Sequence, residues 1–100
     1  MKSNFTFKTN IWLYPGALAA WHFVSLPKEL AAEIKSGFGK SARGWGSLRV
    51  EVTIGKTTWK TSIFPDKKSG TYLLPLKADM RKREGVKAGD EVSVHIKISN

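Results

Sequence analysis

The run from Ser47 to Phe64, SLRVEVTIGKTTWKTSIF, constrains this chain most, because it reads as two strands joined by Gly55-Lys56 with a definite register. With those two residues as the turn, Ile54 faces Thr57, Val52 faces Trp59, Val50 faces Thr61 and Leu48 faces Ile63, so one face is nearly all apolar. The other face sets Glu51 against Lys60 and Arg49 against Ser62. Unlike charges thus meet in the same register that gathers the hydrophobic residues, and the two patterns support the hairpin independently.

The flanking segments follow the same two-residue period. Val92, Val94, Ile96 and Ile98 alternate with Ser93, His95 and Lys97, as in a strand with one face in a core and one in water. Near the N-terminus a strand is expected over Phe5–Leu13, with Phe5, Phe7, Ile11 and Leu13 on one parity, before a turn at Tyr14-Pro15-Gly16. A strand over Ala20–Leu26 is apolar on both parities, which predicts cover on both sides. Two short helices interrupt the strands. Pro27 suits a first helical position, Glu29 the positively polarised first turn, and Leu30, Ala31 and Ile34 make an apolar stripe, predicting a helix from about Pro27 to Lys35. Ala78–Glu84 predicts a two-turn helix stopped by Gly85 in the left-handed C′ position, with Val86 folding back on the last turn. Pro65–Gly70 is a polar turn before a strand over Thr71–Leu76.

WHFVSLPKEL (residues 21–30) and GTYLLPLKADM (residues 70–80) both pass from an aromatic-containing strand through Leu-Pro to a lysine and a helix. Two such units joined by hairpins are expected to close a small, mainly β barrel of six to seven strands, capped by the two helices, as one domain over residues 1–100. A chain of this length supports one small core, here expected to be filled by tryptophans and branched aliphatics. With no cysteine there is no disulfide framework, thiol nucleophile or thiolate metal site, and no apolar run has the length of a membrane span. MKSNFTFK alternates like a strand where a signal peptide has its apolar region, so a cytoplasmic location is expected.

The net charge of +9 favours anionic partners, yet it is spread: seven Lys/Arg against two acids in the first half, ten against six in the second. Scattered lysines mostly serve solubility unless folding gathers them on one face. The segment GFGKSARGWGS, residues 37–47, joins four glycines, Lys40, Arg43 and Trp45 with no acid, the ingredients of an anion or nucleotide site, but it lacks the spacings of a Walker loop or a dinucleotide fingerprint. Its plainer reading is a connection whose Trp45 packs on the barrel edge. His22 reads as a structural residue, His95 has no metal-ligating neighbour, and Glu29 and Glu33 are expected to be solvated. With no nucleophile and base pair, metal set or acid dyad, an enzyme is not expected, and no cofactor is implied.

The runs W-H-F-V-S-L-P at 21–27, R-G-W-G-S at 43–47, T-I-G-K-T-T-W-K-T-S-I-F-P at 53–65, and Y-L-L-P-L-K followed by Arg81-Lys82 and G-V-K-A-G-D at 85–90 resemble domain-of-unknown-function family 1905. The resemblance implies a double-split β-barrel capped by helices, similar to AbrB and MazE-type DNA-binding modules, and no established reaction. In some bacterial proteins such a domain begins a longer chain carrying a bacteriocin-protection-type segment that this sequence lacks. The family's pattern falls on Trp21, Pro27, Arg43, Trp45, Gly46, Trp59, Ser62, Tyr72, Lys77, Arg81, Gly89 and Asp90. Of these, Trp21, Trp59 and Tyr72 suit a core, while Pro27, Gly46, Gly89 and Asp90 suit helix starts and turns.

The polar remainder suggests an anion-accepting patch, if Lys77 and Arg81 share a helix face at i, i+4 and Ser62 lies near Arg49; the competing arrangement pairs Arg81 with Asp79, Glu84 or Asp90. The candidate anion or ligand residues are therefore Arg43, Trp45, Arg49, Ser62, Lys77, Arg81 and Lys82. Two functions follow. One is a non-catalytic domain binding nucleic acid or another polyanion through these cations, joined by Arg83 and Lys87, without strong base specificity. The other is a small-ligand barrel with the segment 37–47 at its mouth.

Overall fold

The computed structural model describes residues 3–15, 21–42 and 44–99, without the side chain of Trp45. Gly16, Ala20 and Arg43, which the sequence assigns to a turn, a strand and a candidate site, lie outside the described residues. The strands are β1 (Asn4–Asn10), β2 (Trp12–Leu13), β3 (His22–Ser25), β4 (Leu48–Ile54), β5 (Thr57–Asp66), β6 (Thr71–Pro75) and β7 (Glu91–Ile98), with helices α1 (Lys28–Phe38) and α2 (Ala78–Glu84). All strand pairs are antiparallel, and the spatial order is β1-β7-β4-β5-β6-β3-β2.

The hairpin adopts the register written in its residues, from Ile54 opposite Thr57 to Leu48 opposite Ile63, with Glu51 opposite Lys60 and Arg49 opposite Ser62. Gly55 has φ 58°, a conformation that side chains with a Cβ rarely adopt. β5 is ten residues long and serves two neighbours: its start pairs with β4, and Phe64–Asp66 pair with β6. The sheet curls into a half-barrel. Only Ile11 separates β1 from β2, although these strands stand at opposite ends of the strand order. Ile11 is buried, donates from its N–H to Asp90 O (2.9 Å) and accepts at its carbonyl from Gly89 N (2.7 Å). Two further bonds draw the N-terminal strands to β3: Thr9 Oγ1 donates to Ser25 O (3.1 Å) and Trp12 Nε1 to Ser25 Oγ (3.0 Å).

One cluster fills the concave side of the sheet. Phe5, Phe7 and Ile11, Leu48–Ile54 on their even-numbered positions, Ile63, Leu74, and Val92–Ile98 on theirs are buried, joined by Ala31 and Ile34 of α1 and Met80 of α2. Gly85 closes α2 in the left-handed conformation (φ 64°), and Val86 N–H returns to Arg81 O (3.0 Å).

Several expectations are corrected. Helix α1 continues through Ser36-Gly37-Phe38 because Phe38 packs against the core, so the extra turn gains apolar burial. The segment after it consists of 3₁₀ turns at Gly39–Ser41 and Gly44–Gly46 rather than open loop. Among the described residues no tryptophan is fully buried in the core. Trp21 is 55% exposed and Trp12 is half-buried, whereas Trp59 faces inward opposite Val52 and packs, partly buried, against the core. Tyr72, by contrast, is buried. Leu13, on the core parity, is half exposed, since β2 is a two-residue edge strand that ends there. Nor is β3 covered on both sides: Val24 and Leu26 point inward, whereas Phe23 joins Trp12, Tyr14 and Trp21 in an aromatic cluster on the convex face. Among the described residues no helix is long and apolar enough to cross a membrane.

Candidate functional site

Strand parity determines what the convex face offers. Because Leu48, Val50 and Ile63 point into the core, Arg49, Lys60, Ser62 and Phe64 point outward side by side on β4 and β5. The chain leaves β6 at Pro75, passes through Leu76-Lys77 and enters α2, bringing Lys77, at the N-cap, and Arg81, one turn later, over the same face. Between these elements lies a groove of about 670 Å³, lined by Arg49, Lys60, Thr61, Ser62 and Phe64 on one side, by Pro75, Leu76, Lys77, Ala78 and Arg81 on another, and by Trp21 and His22.

Among the described residues this wall holds four cations, two hydroxyls and two exposed aromatic rings, and no carboxylate. Arg81 is positioned by the protein: Nε donates to Leu76 O (3.2 Å), and Nη1 lies 3.4 Å from His22 Nε2. A guanidinium can only donate, so His22 must present Nε2 as a bare acceptor for that bond to form. Of the carboxylates considered as alternative partners of Arg81, Glu84 and Asp90 have other duties. Glu84 accepts from Lys56 N (3.3 Å) and Thr57 Oγ1 (2.5 Å), tying the end of α2 to the hairpin turn, while Asp90 accepts from Lys87 N (3.0 Å). Beyond the groove a smaller depression of about 500 Å³ shares Arg49 and Lys60 and adds Lys97, Ser99 and Glu51. Basic surface therefore continues toward β7, with Glu51 opposite both Lys60 and Lys97 in the sheet register.

Of the residues singled out from sequence, Arg49, Ser62, Lys77 and Arg81 come together here. Lys82 is exposed on α2 but turned away from the groove lining, since adjacent helical residues point about 100° apart. Arg83 and Lys87 are exposed and also outside the lining. Arg43 and the side chain of Trp45 lie outside the described residues. Sequence reasoning missed Lys60, Phe64, His22 and Trp21 as lining. The alternation of β5 already placed Lys60, Ser62 and Phe64 on one face; no local pattern marked Trp21 or His22.

A second cavity, of about 530 Å³, lies between α1 and the β5–β6 turn. Gly39, Ala42 and Gly46 line it with Lys28, Lys35, Lys67, Asp66 and Tyr72. Burial pushes the Tyr72 phenol up from its ordinary pKa. The Asp66 carboxyl is held below the usual range, first by the Ser69 hydroxyl, which donates to Oδ2 (2.6 Å), and also by Ser69 N (3.1 Å).

The family model described as Domain of unknown function (DUF1905) matches residues 7–96, nearly the whole sequence. The chain belongs to the DUF1905 family. That match takes in every element of the DUF1905 domain from within β1 to within β7, and with them all of the groove's lining residues. No curated protein matches the chain.

Proposed function

We propose that this DUF1905 domain is a non-catalytic binding module that seats an anionic partner, nucleic acid foremost, in the groove between β5 and α2. The convergence of Arg49, Lys60, Lys77 and Arg81 in one groove carries this reading, because a multiply charged phosphate backbone gains from each cation it meets. Folding gathers these cations from a net charge of +9 that is scattered along the sequence. The finer fold is part of the reading: Ile11 joins strands at opposite ends of the order and Ser25 draws them together, which supports closure into a double-split barrel akin to AbrB and MazE-type modules. That likeness is an analogy and assigns no base contact. A cytoplasmic module with such a surface meets nucleic acid directly.

The test is fluorescence anisotropy with a labelled nucleic acid at low salt, comparing two charge-matched double variants. Lys77→Gln with Arg81→Gln removes groove cations, and Lys28→Gln with Lys35→Gln removes the same charge from α1. The first pair is expected to weaken binding tenfold or more, and the second to leave it within about twofold. Equal losses would mean that net charge alone drives association.

A second reading is supported by the cavity lined by Gly39, Ala42, Gly46 and Tyr72, which has the size of a small-ligand site. A metabolite that raises the melting temperature of the native protein but not that of Ala32→Trp, which fills the cavity from α1, would establish it.

A further inference from the structure

We infer that the groove takes an unpaired nucleobase together with its phosphate, the base lying on Trp21, with Phe64 in the same wall, and the phosphate on the cations opposite. This rests on the reading of the groove as an anion site and narrows it. Cations alone would suit any polyanion, but they do not account for the aromatic rings in the same wall. Trp21 (55%) and Phe64 (42%) are two of four large hydrophobic side chains left strongly exposed among the described residues, and both face the groove. Exposed ring area beside positive charge is matched by a ligand that is planar and apolar at one end and anionic at the other.

The Trp21 ring is braced from behind. It lies nearly parallel to Phe23 (25° between planes, centroids 6.2 Å apart), which rests on Trp12 at 5.3 Å, and Trp12 is pinned by its bond to Ser25. A ring held in this way loses less rotamer freedom when a base stacks on it. Arg81 is likewise oriented before any ligand arrives, through Leu76 O and His22. A duplex keeps its bases stacked on one another, so it can offer the groove its phosphates but no free base face. At about 670 Å³ the groove has room for one or two nucleotide units. The same chemistry comes from two sources, a free mononucleotide or an unpaired strand.

The experiment compares, by anisotropy at low salt, a labelled thymidine strand of about ten nucleotides, a strand with the same phosphates but abasic throughout, and a duplex of equal length. The thymidine strand should bind about tenfold or more tighter than the other two, and Trp21→Ala should remove that advantage without weakening the abasic strand further. Far-UV circular dichroism monitors folding of the variant, while the abasic comparison requires no variant. Abasic or duplex ligands binding as tightly as the thymidine strand would overturn the inference and leave the anion reading standing; failure of all three to bind would remove the anion reading itself. Displacement of the strand by adenosine monophosphate at low millimolar concentration would assign the site to the free nucleotide, and displacement by strands alone would assign it to the polymer.

Discussion

Gly55→Ala and Gly85→Ala are chemically identical changes that should differ in cost. Both glycines occupy the left-handed region, at φ 58° and 64°. Forcing alanine there costs about 1–2 kcal/mol. At Gly85 a Cβ meets nothing within 4 Å, so this is the whole effect. At Gly55 the Cβ would occupy the space taken by the Glu84 carboxylate. That carboxylate ends a flexible side chain and can swing aside, but it then releases Lys56 N and Thr57 Oγ1. Two partly solvated hydrogen bonds contribute about 1–2 kcal/mol together, placing Gly55→Ala at about 2–4 kcal/mol. Urea unfolding with an unchanged slope measures both variants. The excess should vanish in a Glu84→Ala background, where no carboxylate remains to be displaced. Equal costs in the otherwise native chain, or an excess that survives loss of Glu84, would refute the clamp between α2 and the hairpin. Because α2 also carries Arg81, releasing the clamp should weaken strand binding, whereas Thr58→Ala, an exposed change on the same hairpin, should leave it unchanged.

Other consequences are simpler to state. Thr71 is buried and its hydroxyl donates to Leu26 O (2.7 Å), so Thr71→Val should cost about 1–3 kcal/mol in urea unfolding by orphaning that carbonyl. Asp66 has a depressed pKa, so the stability it lends is present above the ordinary aspartate range and lost as pH falls through its folded value; by carboxyl NMR its midpoint should lie below that range and rise in Ser69→Ala. His22→Leu removes the acceptor facing Arg81 Nη1 and should weaken anisotropy-detected binding by about two- to tenfold, with little effect on urea midpoints.

Wherever local chemistry decided the outcome, the sequence was readable. Gly55-Lys56 and the Glu51–Lys60 match fixed the hairpin register, and Gly85 marked the end of α2, because each depends on neighbours along the strand or within one helical turn. Half of the groove was legible for the same reason, since Lys77 and Arg81 share a face at i, i+4 and Arg49 stands opposite Ser62. The rest required tertiary information. A strand apolar on both parities does not reveal whether its second face meets a layer or water, so Trp21 read as core although it stands on the convex rim. Gly37 read as the start of a loop because the gain from packing Phe38, which extends α1, comes from residues distant in sequence. Lys60 read only as the partner of Glu51; its place in the groove depends on where β6 hands the chain to α2.

The salt dependence of binding to an unpaired strand tests the groove most directly. Single-stranded nucleic acid loses affinity with a slope of about −0.7 per neutralised phosphate when log K is plotted against log salt. Four groove cations predict a slope of about −2 to −3, reduced by roughly 0.7 for each of Arg49, Lys60, Lys77 and Arg81 changed to glutamine. A flat salt response, or a slope indifferent to these four residues and sensitive to lysines elsewhere, would contradict the assignment.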